Sequence, residues 1–402
     1  MSSIVIDESK QPMHVKVMKI LAEETGGKSY KAHKYGLDHA DRPSIDYGDS
    51  EIVWKRKAET MHHKTYIDLT SRAKALAARD DQVLTYFLDG SRKVFKVDDM
   101  AFPQSGGRSM IFPVIAGQIG VGCCLRKNRR VVPAKFKREI VLSLPDIANA
   151  NGKAGFWPAT AMKLSECEAL KRLNIEFSTI LPYRTSKIGN ERVVYEDRAT
   201  ACVQDRMIER EKELVAELVR DGKLNQDNYL IKDGSLEYRP TKQDKADMKN
   251  YKKFKNNYKW VIGASKNFNP EVCKVLGDKP NPGFIADLPL YHRTPVAEYE
   301  NEMLGGDIRF AVWYVRLRDK RDTRTPFDGV LKIEKILVTE EENDYGIDSD
   351  DVDTLSAYII NERNPVCYGS DLRWANHIYP IYLTESFVKS RYLSTESFLH
   401  LF

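Results

Sequence analysis

The sequence predicts a mixed α/β domain around one central sheet. Three observations predict it. Strand-forming segments crowd residues 82–142. The clearest helical stretch, Ala199 to Arg220, runs directly into another strand at Tyr229. Further strands follow, and the chain closes in short helical stretches.

The elements follow in order. Residues 1–80 are polar, with helical patches at Val15 to Glu24 and Tyr66 to Ala78, interrupted by turn-rich gaps at Gly26-Gly27-Lys28 and Arg42-Pro43-Ser44. They read as a helical N-terminal region packed on the main body. Gln82 to Leu88 reads as the first strand, and the alternating Val94-Phe95-Lys96-Val97 as its hairpin partner. Arg108 to Leu125 is long and rich in Ile and Val, and Gly117, Gly120 and Gly122 suggest a bent or bulged strand. Arg129 to Val132 and Glu139 to Leu142 continue the meander. Asp221-Gly222 stops the long helix. Lys259 to Ala264, Ile308 to Arg316 and Leu331 to Val338 are further strands, the last two joined by the charged turn Arg318 to Asp322. The acidic run Glu340 to Asp353 reads as an exposed loop.

Composition narrows the class. The 402 residues are 42% hydrophobic and 30% charged, with net charge +5, which fits a soluble globular protein with locally clustered positive charge. No stretch approaches the roughly 18 to 20 apolar residues of a membrane span. The start, Met1 to Glu8, lacks the pattern of a secretion signal. Six cysteines without a C-x-x-C pair suggest neither a disulfide framework nor a zinc site, and point to a reducing cytoplasm.

The chemistry concentrates in two echoing segments, Tyr86-Phe87-Leu88-Asp89-Gly90-Ser91 and Tyr229-Leu230-Ile231-Lys232-Asp233-Gly234-Ser235-Leu236. Each is a strand run ending in Asp-Gly-Ser. Asp-Gly alone marks a turn; as a pair, the two aspartates suit a shared Mg2+ or Mn2+ held by oxygen ligands. Glu211 falls within the apolar arc of Ile208, Val215, Leu218 and Val219, where a carboxylate needs a cation or a metal, with Glu213 as the alternative. Lys266 follows a strand in a Gly/Ser turn. His377, in Asn376-His377-Ile378-Tyr379-Pro380, is a residue type that binds metal or moves protons, or equally one that sits as a satisfied structural histidine. The segment Tyr251 to Trp260 mixes cations with aromatic rings, Lys252, Lys253, Lys255, Tyr258 and Lys259 among them, which suits phosphates and unpaired bases, or else a solvated amphipathic helix.

Taken together, these segments resemble the NurA nuclease family. The matching pieces are Phe87 to Ser91, an acidic helix leading into Leu230 to Leu236, Val261 to Lys266, the strand pair Val312 to Leu317 and Leu331 to Glu334, and Tyr379 to Leu383. Their shared order across residues 80–390 carries the resemblance. It implies an RNase H-like core with a central mixed sheet and C-terminal helices over residues 81–402, with insertions around 92–200. It also implies Mn2+-dependent DNA cleavage (or Mg2+), a ring-shaped homodimer, and a hexameric HerA-type ATPase that feeds in DNA, in DNA repair or anti-phage defence. The family's acidic ligands map onto Asp89, Asp233 and Glu211. The family also uses a C-terminal Tyr and His; here Ser386 and Phe387 stand where that His is expected, and His377 precedes the segment. The expectation is a metal-dependent deoxyribonuclease in which Lys266 and His377 neutralise developing charge. The alternative is a catalytically inactive nucleic-acid-binding clamp in a motor complex.

Overall fold

The computed structural model describes residues 13–30, 32–37, 52–55, 58–79, 82–103, 107–172, 175–186, 194–237, 254–269, 280–301, 308–323, 325–362 and 375–402. In chain order the strands are β1 (Lys28–Ser29), β2 (Tyr35–Gly36), β3 (Ile52–Lys55), β4 (Ile67–Asp68), β5 (Leu84–Pro103), β6 (Ser109–Lys127), β7 (Arg130–Pro145), β8 (Phe177–Tyr183), β9 (Tyr229–Asp233), β10 (Val261–Ser265), β11 (His292–Arg293), β12 (Ala297–Asn301), β13 (Arg309–Arg316) and β14 (Val330–Ile336). The helices are α1 (Met13–Thr25), α2 (Thr70–Arg79), α3 (Phe156–Ser165), α4 (Glu168–Arg172), α5 (Tyr195–Arg220), α6 (Pro282–Ala286), α7 (Glu340–Tyr345), α8 (Ser349–Ile360), α9 (Tyr379–Lys389) and α10 (Thr395–Leu399).

All these strands join one mixed sheet, whose main path runs β3-β12-β13-β14-β10-β9-β5-β6-β7-β8. Strands β5, β6 and β7 pair antiparallel, and α5 then carries the chain across to β9. Strand β9 lies parallel to β5, and β10 parallel to β9. The mixed α/β class expected from the sequence is the class observed. Residues 1–80 are not only helical: their described part adds β1 and β2 to the edge of β5, β3 to β12, and β4 to β11.

Side-chain alternation sorts the core onto two faces of the sheet. On one face, Leu88, Ile119, Val121 and Cys123 pack against Val203, Leu214 and Leu218 of α5. On the other, Phe87, Ile231, Ile262 and Trp313 pack against Leu355 and Ile359 of α8 and Ile381 of α9. The far ends of β5 to β7 carry a further cluster that covers α1, α3 and α10.

Four sequence expectations are corrected. The expected Gln82–Val97 hairpin is one continuous strand: β5 runs extended through Asp89-Gly90-Ser91, with its ladder to β6 unbroken there. Likewise, the segments from Arg129 and Glu139 are parts of the single strand β7. The glycines of β6 mark no bulge, because its register is regular from Gly117 to Gly122 and shifts against β7 only between Cys123 and Cys124. Last, the acidic run 340–353 is helical. Thr339 closes a capping box with Glu342, and Asp348 caps α8. Carboxylates in first turns favour the positive helix end, so charge that looked like solvated loop is helix-starting charge.

A buried ionic clasp ties the N-terminal region to α8. The fully buried Arg293 donates to Glu59 Oε2 (2.9 Å) and Asp353 Oδ1 (2.5 Å). Glu59 also accepts from Ser349 Oγ and from the backbone of Val296. Removing Arg293 leaves the buried Glu59 carboxylate without its cation. Arg293→Met is therefore expected to cost about 3 to 5 kcal/mol. Denaturant unfolding checks this, and a loss below about 1 kcal/mol would show that the clasp carries little net stability.

Candidate metal centre

The parallel pairing of β5 and β9 brings the two echoing segments together. Phe87 lies opposite Ile231 and Leu88 opposite Lys232, so the next residues, Asp89 and Asp233, emerge side by side. Gly234, at φ +86°, then turns the chain away. The Asp-Gly-Ser turn expected from the sequence thus forms at the second segment only.

The third carboxylate of the group is Glu385, on α9. One oxygen from each of Asp89, Asp233 and Glu385 lies within 4.8 Å of the others, and this is the only such group of three or more metal-ligating side chains among the described residues. Helix α9 reaches the strands because β6 is bare where they meet. A Cβ on Gly122 would stand 2.5 Å from Val388 Cγ2, and one on Gly120 would stand 2.8 Å from Val388 Cγ1. Since Gly122 faces Asp89 across the ladder, both point toward α9.

Lys266, just past β10, threads its ammonium into the group. Its Nζ lies 2.8 Å from Asp233 Oδ2, 3.5 Å from Glu385 Oε2 and 3.1 Å from His377 Nε2. His377 Nε2 also lies 3.2 Å from Glu385 Oε2. A neutral imidazole nitrogen can accept from the ammonium or donate to the carboxylate, so the tautomer decides which contact is a hydrogen bond. Asn376 ties Lys266 to the start of β14: its Nδ2 donates to Lys266 O at 2.8 Å, and its Oδ1 accepts from Gly329 N. Lys389 caps the outer Glu385 oxygen, with Nζ 2.6 Å from Oε1.

The electrostatics follow from burial and crowding. Asp89 is 5% exposed. Burial first, then the charge of Asp233, push its carboxyl well above the usual carboxylate range, with Lys266 opposing. Glu385 goes the other way: hydrogen bonding with His377 holds it far below that range, against the cost of burial and with help from Lys266 and Lys389. Burial alone would lower Lys266, but Asp233, Glu385 and Asp89 outweigh it and raise the ammonium, which stays charged. Three carboxylates meet one buried ammonium, so the group is short of positive charge. An all-oxygen donor set with surplus negative charge fits a hard divalent cation such as Mn2+ or Mg2+.

Glu211, expected as the third ligand, stands outside this group. It lies on the α5 face, where a Cβ on Gly90 would come within 2.3 Å of its Oε1. Glu211 Oε2 is 3.1 Å from Lys232 Nζ, and burial raises its carboxyl despite that cation. Lys232 in turn donates to Asp233 O (2.9 Å) and Ser235 O (3.2 Å). The pair therefore braces both Asp-Gly-Ser segments from behind. Glu213, the alternative, pairs with Arg210 and Lys137 on the half-exposed side of α5.

The Lys/aromatic segment divides. Lys252 and Lys253 lie outside the described residues. Tyr258 is 1% exposed within the core beneath α5, so it has no face to offer a base. Phe254 packs edge-on against it. Lys255 is half-buried, and Lys259 is exposed with its ammonium over the Trp260 ring. The rings between these lysines were drawn inward by the apolar underside of α5, which the local charge pattern hid.

Sequence reasoning missed Glu385 and Asn376. Glu385 flanks the buried stripe of Ile381, Thr384 and Val388 on α9, the same signal that singled out Glu211.

Neither a protein-family model nor a curated protein sequence matches the chain. Among solved structures, that of the NurA nuclease from Sulfolobus solfataricus aligns over 76% of this chain and 79% of its own, at 12% identity and a TM-score of 0.37. A score that low carries neither fold nor function across. No helix among the described residues is long and apolar enough to cross a membrane.

Proposed function

We propose that this protein is a divalent-metal-dependent nuclease built on an RNase H-like core. The observation that carries the reading is the convergence of Asp89, Asp233 and Glu385, with oxygens within 4.8 Å of one another, beside a buried ammonium and an imidazole. The strand order β7-β6-β5-β9-β10 supports the fold: three antiparallel strands, a crossover helix, then two strands added parallel on the far side of the first.

Asp89, Asp233 and Glu385 would hold Mn2+ or Mg2+. A bound ion there supplies Lewis acidity and an acidified water for phosphodiester hydrolysis. The protein's own residues do the rest. Burial around Asp89 and Lys266 keeps bulk water from screening their charges. Lys266 neutralises negative charge that grows on the reacting phosphate. His377, with Nε2 at the junction of Lys266 and Glu385, can hold or pass a proton there. Asn376 holds the Lys266 backbone in place through its hydrogen bond to the Lys266 carbonyl. The sequence resemblance to NurA nucleases adds DNA as the substrate, a homodimer and a HerA-type ATPase as partners, and repair or defence as the setting.

The test is incubation of the purified protein with linear DNA and Mn2+, with and without EDTA, beside Glu385→Gln. Cleavage that requires Mn2+ and falls more than about a hundredfold in the variant is expected. Retarded DNA without cleavage, with or without the ATPase, would sink the nuclease reading and favour the clamp.

A further inference from the structure

We propose that Lys266 is the resident counter-cation of the carboxylate group, holding its metal-free form together and giving way to the divalent ion on binding. This rests on the reading of Asp89, Asp233 and Glu385 as a metal site.

The geometry carries it. Lys266 Nζ contacts the Asp233 and Glu385 side chains that a metal would need, at 2.8 and 3.5 Å. It is 8% exposed, so water does little to screen it. Three carboxylates this close repel one another, and the ammonium is the buried cation that offsets them. A divalent ion seated among the same oxygens would stand within a few ångströms of Nζ. Like charges at that distance in a buried site are strongly unfavourable. Ammonium and metal are thus alternatives and not partners.

The structure also provides for the exchange. The Lys266 backbone is fixed by β10 and by Asn376 Nδ2 (2.8 Å), whereas its charge sits on a flexible four-carbon stem. An ammonium displaced along that stem remains next to any phosphate the metal binds. One residue would then serve carboxylates before metal entry and phosphate after it.

The experiment measures Mn2+ binding without nucleic acid, by titration calorimetry, in the full chain and in Lys266→Met, Lys266→Gln and Asp89→Asn. Both Lys266 variants are expected to bind Mn2+ at least tenfold more tightly than the unaltered chain. Mn2+ should also raise their melting temperatures further, and variants that fold only when Mn2+ is supplied support the proposal equally. Lys266 variants that Mn2+ neither binds more tightly nor stabilises more overturn it. If the unaltered chain binds Mn2+ and Asp89→Asn does not, that failure belongs to the Lys266 proposal alone. If no form binds Mn2+, the metal-site reading fails and this proposal with it.

Discussion

Asp89→Asn and Asp233→Asn are each expected to remove Mn2+ binding and to lower DNA cleavage by well over about a hundredfold. Loss of a group that merely orients a metal ligand costs about 10- to 100-fold, so loss of a ligand should exceed it. The two variants should part company in stability. Asp89 is buried with its carboxyl pushed up by desolvation and by Asp233, so its ionised form works against the fold. A neutral amide of the same shape removes that strain while Lys266 keeps Asp233 and Glu385. In EDTA, Asp89→Asn should melt at or above the unaltered temperature. Asp233→Asn breaks the 2.8 Å contact with Lys266 and should melt lower.

The pH dependence has a definite sign. A carboxyl whose folded value is raised binds more protons in the native than in the unfolded state. Its contribution to stability is complete below the ordinary carboxylate range and is lost as pH rises through the raised value. Asp89 and Glu211 both belong to this class. Glu385 is depressed, and its contribution is lost only as pH falls below the ordinary range. Between the ordinary range and the raised values, acidification should therefore stabilise the metal-free protein. Asp89→Asn should flatten that rise. Melting curves in EDTA across this window check both points, and an unchanged slope in Asp89→Asn would show that Asp89 is ionised as freely in the fold as in the unfolded chain.

Much of the arrangement was legible because it is local or repeated. The echo of Asp89 and Asp233 was visible as two strands with the same ending, and parallel pairing of those strands is what juxtaposes them. The long helix before β9 was visible in its apolar arc. What escaped depends on tertiary approach. Gly90 looked like part of a turn, but it is bare so that the Glu211 carboxylate can lie against the strand. Glu211 then answers to Lys232, a neighbour that its own helix does not reveal. Tyr258 resembles a stacking surface in sequence because lysines flank it, whereas the core that buries it is assembled from distant segments. Glu385 went unseen because its role depends on how closely α9 lies on β6, and glycines on another element set that distance.

That distance yields the second large effect. Gly122→Val places branched carbons where Val388 already stands, with even the first added carbon 2.5 Å from Val388 Cγ2 and 3.4 Å from the Phe387 ring. Overpacking of this kind typically costs about 1 to 3 kcal/mol. Activity should fall further than the stability loss explains, because the least constrained response is for α9 to lift. Glu385 lies one turn before Val388 on that helix, so lifting draws it from Asp233 and Lys266. Gly283→Ala is the control, since a Cβ there meets only Asn281 Oδ1 at an ordinary 3.7 Å. It should leave both melting and cleavage unchanged. A double-mutant cycle makes the argument sharper. Gly122→Ala combined with Val388→Ala restores the missing room, so the pair should be less damaging than the sum of the single changes by about 0.5 to 3 kcal/mol, with cleavage partly recovered. Strict additivity in both readouts would mean that α9 is not seated by these glycines, and that Glu385 reaches the aspartates by some other constraint.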